Sequence, residues 1–150
     1  MIEENIIFLD FIVRSSWHKI SRLFNQKAAN YNATMSVGFI LMIIEKEGTP
    51  STKLGPKMGM EPTSLSRTLQ NMEENGLIRR EFSSIDKRKV LIFLTEEGVE
   101  LRRVVRDYLI KFNVSLKSKL KNSNLETFLK VINTIDETVE EFEIELKKEK

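Results

Sequence analysis

The chain has 150 residues, of which 41% are hydrophobic and 31% charged, and this composition is typical of one compact, helix-rich domain. It contains no cysteine, which excludes disulfides, thiolate metal sites and thiol-based switches. The net charge of +2 hides an asymmetry, because residues 51–94 carry +3 whereas residues 136–150 carry −4. A basic middle region and an acidic end indicate that only one part of the chain faces a polyanion.

The first ten residues, MIEENIIFLD, do not resemble a secretory signal, because they are acidic before the apolar run and lack a small-residue cleavage site. No uninterrupted apolar stretch is long enough to cross a bilayer. We therefore expect a cytoplasmic protein, and nothing in the sequence calls for a cofactor or a metal ion.

Two helices are predicted at the start of the chain. From Ile6 to about Tyr31 the apolar residues recur every three or four positions, which predicts one long amphipathic helix. A second helix is predicted from Thr34 or Ser36 to Lys46. Its residues are apolar nearly all round, so it is expected to be buried.

Two shorter helices are predicted next. The third opens with a hydroxyl cap within residues 49–52, is kept short or bent by Pro56, and ends at Gly59. The fourth has Pro62 as its first residue and ends at Asn75-Gly76, whose glycine suits the left-handed position that closes a helix.

A β-hairpin and two long helices are predicted for the rest of the chain. Residues 77–82 and 90–94 are rich in apolar and β-branched side chains and flank a polar, basic tip, which predicts a hairpin. Thr95 is expected to cap the next helix, and Ser123 with Glu126 forms an S-x-x-E capping box for the last one. The fold is therefore expected to be mainly helical, with one small hairpin.

The order of short helix, tight turn, second helix and hairpin is the winged helix-turn-helix arrangement. In the fourth helix, Leu65, Leu69 and Met72 share one face and are expected to pack inward. The outer face and flanks carry short polar groups and an arginine, which suit base edges and phosphates in a major groove: Thr63, Ser64, Ser66, Arg67, Gln70 and Asn71. The alternative is an ordinary solvated helix face.

The central part of the chain resembles the MarR (multiple-antibiotic-resistance-regulator) family. The segment is EPTSLSRTLQNMEENGLIRREFSSIDKRKVLIFLTEEG. In that family a recognition helix of the type S-x-x-S-R leads through E-x-x-G-L-I/V into a wing with D-x-R, which ends in L-T-x-x-G. The matching residues here are Ser64, Ser66, Arg67, Leu69, Glu73, Gly76, Leu77, Ile78, D-K-R at 86–88 and L-T-E-E-G at 94–98.

The resemblance implies a DNA-binding transcriptional regulator, expected to be a repressor, that binds an inverted-repeat operator as a homodimer. In a single MarR-like domain, residues 34–98 would form the winged helix-turn-helix region, and residues 1–33 and 99–150 the dimerisation helices. Their long apolar stripes agree with dimerisation, because such surface would be a liability in a monomer.

The resemblance also implies roles for the predicted wing tip of Asp86, Lys87 and Arg88. Arg88 would enter the minor groove, and Asp86 would hold its guanidinium group in a bidentate pair. The alternative is an ordinary exposed ion pair, which would contribute little. Whether Lys87 and the other nearby cations contact phosphates or are simply solvated stays open.

MarR-like proteins often bind a small aromatic or lipophilic anion between the dimerisation helices and the winged region. The segments that would line this effector cleft carry Phe11, Arg14, Trp17, His18, Tyr31, Met35 and Phe39. The alternative is that these residues have ordinary core and surface roles. Members of the family that sense oxidation through thiols or that sense zinc are excluded, because this chain has no cysteine and one histidine.

Two other classes of function are alternatives to DNA binding. An enzyme is not expected, because the chain has no cysteine, one histidine, and neither a G-x-S-x-G nor a G-x-x-x-x-G-K-[ST] motif. A winged domain used only for protein contacts is the second alternative, since a fold does not determine its function. The polar recognition face and the D-K-R wing favour DNA.

Overall fold

The computed structural model describes residues 7–149, which form a mainly helical protein with one small antiparallel sheet. The first part contains α1 (Leu9–Ala29), α2 (Met35–Ile43), β1 (Thr49–Pro50), α3 (Ser51–Met58) and α4 (Pro62–Glu74). The second part contains β2 (Ile78–Phe82), β3 (Val90–Leu94), α5 (Glu96–Ser118) and α6 (Asn122–Lys148). This order confirms the predicted fold class.

The chain divides into two compact units, with the boundary between Asp107 and Tyr108, inside α5. The hydrophobic core lies in the first unit, where α2, α3, α4 and the sheet bury their apolar side chains. Its most completely buried members are Ile40, Leu41, Ile44, Leu54, Met72 and Ile92. The second unit contains the end of α5 and all of α6, and none of the described residues of α6 is buried.

Helix α2 lies within the core and is held at its first turn by two side chains. The hydroxyl of Thr34 accepts a hydrogen bond from the backbone N–H of Val37 (3.3 Å) and so caps the helix, which begins at Met35, between the two predicted starts. The side-chain oxygen of Asn25, on α1, accepts the N–H of Met35 (3.0 Å). Because a helix leaves its first N–H groups without internal partners, these two contacts stabilise the start of α2.

The C-terminal end of α2 differs from the prediction. The helix ends at Ile43 rather than at Lys46, because Ile44 is extended, with φ −72° and ψ 125°. The Arg102 guanidinium, on α5, donates hydrogen bonds to the carbonyl oxygens of Ile44 (3.0 Å) and Met42 (3.3 Å). A cation at this end also interacts favourably with the helix dipole.

The hydroxyl cap predicted for α3 is wrong. The helix starts after Pro50, and no side chain caps it. The hydroxyl of Thr49 instead accepts the N–H of Glu45 (2.9 Å), and the backbone of Thr49 pairs with Ile92 in strand β1. Strand β1 was missed, because two residues are too few to show an alternating pattern.

Other predicted helix boundaries are confirmed. Gly59 and Gly76 have φ values of 59° and 69° and close α3 and α4 in the left-handed conformation that glycine adopts without strain. Pro62 is the first residue of α4. The Thr95 hydroxyl accepts the N–H of Gly98 (3.0 Å), which confirms Thr95 as the cap of α5.

The capping box predicted for α6 is wrong. The helix begins one residue before Ser123, at Asn122, and the side-chain oxygen of Asn124 accepts the N–H of Lys121 (3.1 Å). The predicted box with Glu126 would need Ser123 in the flanking position, outside the helix. At the other end of the chain, α1 starts at Leu9, and Ile6 lies outside the described residues.

Candidate nucleic-acid interface

The two faces of α4 are separated as its sequence pattern predicts. Leu65, Leu69 and Met72 are buried in the core of the first unit. All six side chains predicted to contact DNA from this helix are exposed, namely Thr63, Ser64, Ser66, Arg67, Gln70 and Asn71. The helix therefore packs with its apolar face and presents donors and acceptors to solvent with the other.

The exposed side of α4 has few internal contacts to break on binding. The side-chain amide of Gln70 donates a hydrogen bond to the Glu74 carboxylate (2.9 Å). Thr68, one turn after Ser64, donates its hydroxyl hydrogen bond to the Ser64 carbonyl (2.9 Å). A contact from Gln70 to a base would thus replace an existing hydrogen bond.

The hairpin that forms the wing consists of β3, the central strand of a three-stranded sheet with the order β1-β3-β2, and β2, which is an edge strand. Strands β2 and β3 are antiparallel, and Ile78 pairs with Leu94 at the base while Phe82 pairs with Val90 near the tip. Because side chains alternate between faces, Ile78, Arg80 and Phe82 project from one side of β2.

Two arginines, for which the sequence left phosphate contact and simple solvation open, contact side chains of neighbouring residues in the winged region. The Arg80 Nε atom lies 3.0 Å from a carboxylate oxygen of Glu73, which joins β2 to α4. The Arg79 guanidinium lies 4.6 Å from the ring centroid of Phe93 and forms an ion pair with Glu81. No local sequence signal marks the Arg80–Glu73 contact, because it joins two different elements.

The wing tip is organised by Ser83 and by backbone hydrogen bonds. The Ser83 hydroxyl oxygen accepts the N–H groups of Ile85 (3.2 Å) and Asp86 (3.3 Å). The backbone of Lys89 forms two hydrogen bonds of 2.9 Å that close the turn. Its carbonyl accepts the N–H of Ser83, and its N–H donates to the carbonyl of Asp86. A serine that bonds to the backbone two and three residues ahead is a recognised turn signal, which the sequence analysis did not use.

Asp86 contacts Arg88 differently from the predicted bidentate pair. One carboxylate oxygen accepts the backbone N–H of Arg88 (3.1 Å), and the other lies 3.9 Å from the Lys89 Nζ atom. Within residues 7–149, the Arg88 guanidinium forms no ion pair with Asp86. Asp86 therefore shapes the backbone from which Arg88 projects and does not hold its charged group.

Five of the residues predicted for an effector site fall into two sets. Phe11, Arg14, Trp17 and His18 lie on α1 and are exposed. Phe39 instead packs against α1, with its ring centroid 6.2 Å from that of Phe24.

Two further predicted effector residues lie near the turn between α1 and α2. Tyr31 is exposed, and its ring centroid lies 5.8 Å from the Lys27 Nζ atom. Met35 is the first residue of α2, and its backbone N–H donates a hydrogen bond to the side-chain oxygen of Asn25.

Two other kinds of site are not found among the residues that the structure describes. No helix within residues 7–149 is both long and apolar enough to span a bilayer. In the same part of the chain, no group of three or more His, Cys, Asp or Glu side chains is placed to bind a metal ion.

The arrangement of α3, the turn at Gly59, the exposed polar face of α4 and the basic hairpin defines a winged helix-turn-helix protein. Residues 34–90 match the model of the MarR family. The organic hydroperoxide resistance transcriptional regulator of Bacillus subtilis is 28% identical to this chain, over 87% of this chain and 88% of the relative. The regulator MgrA of Staphylococcus aureus is 29% identical, over 88% and 92% of the two chains.

The fold agrees with that of solved MarR-type regulators. The crystal structure of the S. aureus MepR–DNA complex superimposes with a TM-score of 0.81 at 19% identity, over 89% of this chain and 99% of the other. The winged region of the chain, residues 34–90, is therefore of the MarR type. The two relatives named above are transcriptional regulators, and the MepR structure is a complex with DNA.

Proposed function

We propose that this chain forms a homodimer that binds an inverted-repeat operator and represses transcription from the adjacent promoter. The observation that carries the proposal is the exposed polar face of α4 beside a wing whose tip bears Lys87, Arg88 and Lys89. A helix of this kind fits the major groove, and a cationic hairpin beside it fits the neighbouring minor groove. A regulator must also reach the chromosome, so we place it in the cytoplasm.

The exposed apolar residues of α1 and α6 support a homodimer. Ile12 and Val13 are exposed on α1, as are Phe128 and Phe142 on α6. Helix α1 (Leu9–Ala29) carries a net charge of +3, and α6 (Asn122–Lys148) a net charge of −4. Two copies that pair α1 of one with α6 of the other would cover apolar surface and bring opposite charges together.

We assign the proposed DNA contacts to two elements. From α4, Thr63, Ser64, Ser66, Arg67, Gln70 and Asn71 face the major groove. From the wing, Lys87 and Arg88 contact the minor groove and its phosphates, while Asp86 supports the backbone at Arg88. Phosphate contacts set the register of the protein on DNA, and contacts to base edges determine the sequence that it prefers.

The test is a selection of bound duplexes from a random pool by the purified full-length protein. We expect an inverted repeat whose half-site centres lie about one helical turn, or 10 base pairs, apart. Replacing Arg67 by Ala should cost about 1 to 3 kcal/mol on the selected operator and less on random DNA. Arg103→Ala is the matched control, since Arg103 is an exposed arginine on α5 that pairs with Glu100.

The outcome decides between the competing functions. An enriched inverted repeat supports the proposal, and a single or direct half-site contradicts the twofold dimer. Failure to enrich any sequence, with weak binding that hardly changes with salt, would favour a winged domain used for protein contacts.

A small aromatic or lipophilic anion is proposed as the effector. The support is the exposed aromatic side chains of α1, together with Arg14 and His18 on the same helix. Trp17 is the only tryptophan, so its fluorescence reports on this region alone. We expect benzoate to change that fluorescence saturably in the native protein and much less in Arg14→Ala; equal titrations would contradict this site.

A further inference from the structure

The wing carries exposed apolar side chains that dimerisation does not explain. Among residues 7–149, the large hydrophobic side chains that are exposed lie on α1, α5, α6 or immediately beside them, with two exceptions. These are Phe82, which is 75% exposed at the end of β2, and Ile85, which is 97% exposed at the hairpin tip.

The tip presents Ile85 from an ordered turn. The Ser83 hydroxyl accepts the N–H of Ile85, and the bonds between Ser83, Asp86 and Lys89 close the turn around it. The backbone at Ile85 is thus fixed before any partner binds, so little conformational entropy would be lost there on binding.

The surroundings of Ile85 indicate what kind of partner it meets. Lys87, Arg88 and Lys89 follow it within four positions, and all three side chains are exposed. A cluster of cations favours a polyanion over an apolar protein surface. On DNA, an apolar side chain beside such cations can pack against the deoxyribose walls of the minor groove or enter between base pairs.

We propose that Ile85 is a DNA contact that enters the minor groove beside Arg88 and disfavours G·C pairs there. This inference rests on the proposed function, because it requires that the wing bind DNA. Arg88 supplies the charge, and Ile85 supplies an apolar contact in the same groove. The exocyclic amino group of guanine lies in the minor groove, where an apolar side chain cannot satisfy it.

Phe82 extends the same surface toward α4. It shares the face of β2 with Arg80, whose ion pair with Glu73 shows that this face is directed at α4. Phe82 therefore lies between the two elements that contact the grooves, where the DNA backbone would pass. It packs there against the deoxyribose of that strand.

The experiment compares Ile85→Ser with the full-length native dimer by fluorescence anisotropy on the selected operator, over a series of NaCl concentrations. Burying most of an isoleucine corresponds to an increase of about tenfold in Kd for each subunit in which it is replaced by Ser. The slope of log Kd against log salt should not change, because an apolar side chain releases no counterions. Arg88→Ala, by contrast, should lower that slope.

Three controls separate a groove contact from other effects. Ser84→Ala alters the neighbouring exposed residue and should bind as the native protein does. Ile85→Val keeps the apolar character and should restore most of the affinity. Operators with G·C in place of A·T at the wing position should bind the native dimer more weakly, and this penalty should shrink in Ile85→Ser. An inosine·cytosine pair, which lacks the exocyclic amino group of guanine, should behave as an A·T pair does.

The possible failures are distinguishable. Native protein that binds no duplex contradicts the proposed function and this inference together. Native protein that binds its operator, with Ile85→Ser unchanged in Kd or changed only through the salt slope, overturns the inference alone. In that case Phe82 and Ile85 are left for contact with another protein.

Discussion

The first compact unit (residues 1–107, hereafter the winged unit) and the last helix place similar apolar residues in opposite environments. Leu41, on the apolar helix α2, is completely buried, whereas Leu129, on the amphipathic helix α6, is 53% exposed. The winged unit thus has a core of its own. Helix α6 has apolar residues but no core of its own, so the contribution of these residues to stability must depend on what covers them.

The largest expected effect is in the core of the winged unit. Replacing Leu41 by Ala should lower the free energy of unfolding by about 2 to 5 kcal/mol, because it leaves a cavity where Ile40, Ile44 and Leu54 also pack. Chemical denaturation monitored by circular dichroism measures this loss. A loss below about 1 kcal/mol would mean that the site collapses freely and is not a close-packed core.

The matched change on α6 tests the other half of the comparison. If a second copy covers Leu129, Leu129→Ala should cost about 1 to 3 kcal/mol, and the cost should depend on protein concentration, as it does for dimers. In a monomer the same substitution would cost little, because the side chain is already half exposed.

Sedimentation at micromolar concentration should accompany this measurement. The native protein is expected at about twice the 17.5 kDa of one chain. The Leu129→Ala dimer should dissociate at a higher protein concentration than the native dimer. Lys130→Ala is the control on the neighbouring exposed position. A native monomer at all concentrations would remove the proposed explanation of the exposed α6 stripe.

The order of helices and strands could be predicted because it depends on local patterns. The three-to-four-residue apolar period of α1 and the Pro62 and Gly76 signals of α4 are both confirmed. The ends of α2 and α3 were not predictable, since Arg102 bonds to the end of α2 from 58 positions further along the chain, and Thr49 pairs with β3. Such contacts join segments that are distant in sequence.

The candidate site shows the same division between local and distant information. Which side of α4 is exposed follows from its own sequence, and Ser64 and Arg67 lie on that side as expected. The contact of Arg80 with Glu73 and that of Arg79 with Phe93 depend on how β2 lies beside α4 and β3. A family pattern identified Asp86 and Arg88, but it did not specify which atoms of the two residues meet.

A smaller effect is expected where Arg102, on α5, contacts the end of α2. Arg102→Met removes two hydrogen bonds to the carbonyl oxygens that end α2 and should cost about 1 to 2 kcal/mol of unfolding free energy. The Met side chain keeps most of the apolar stem, so the loss reports on the guanidinium group. Arg106→Met, one turn later and exposed, is the control. Equal effects of the two substitutions would assign no special role to the Arg102 bonds.

The smallest effect on stability is expected at the wing tip, where Asp86 can be tested by two substitutions. Asp86→Ala removes the acceptor for the Arg88 N–H, whereas Asp86→Asn keeps a side-chain oxygen in the same position and removes only the charge. Both should change the unfolding free energy by less than about 0.5 kcal/mol, because the tip is at the surface.

Their effects on operator binding should differ. If Asp86 acts by shaping the backbone at Arg88, Asp86→Ala should weaken binding severalfold, while Asp86→Asn should bind as tightly as the native protein or more tightly. The gain would come from removing a negative charge close to phosphates. If instead Asp86 held the guanidinium by charge when DNA is bound, Asn would lose as much affinity as Ala, since a neutral amide forms only a weaker hydrogen bond with arginine. Anisotropy at one salt concentration therefore decides between a contact through the backbone and a contact through the charged group.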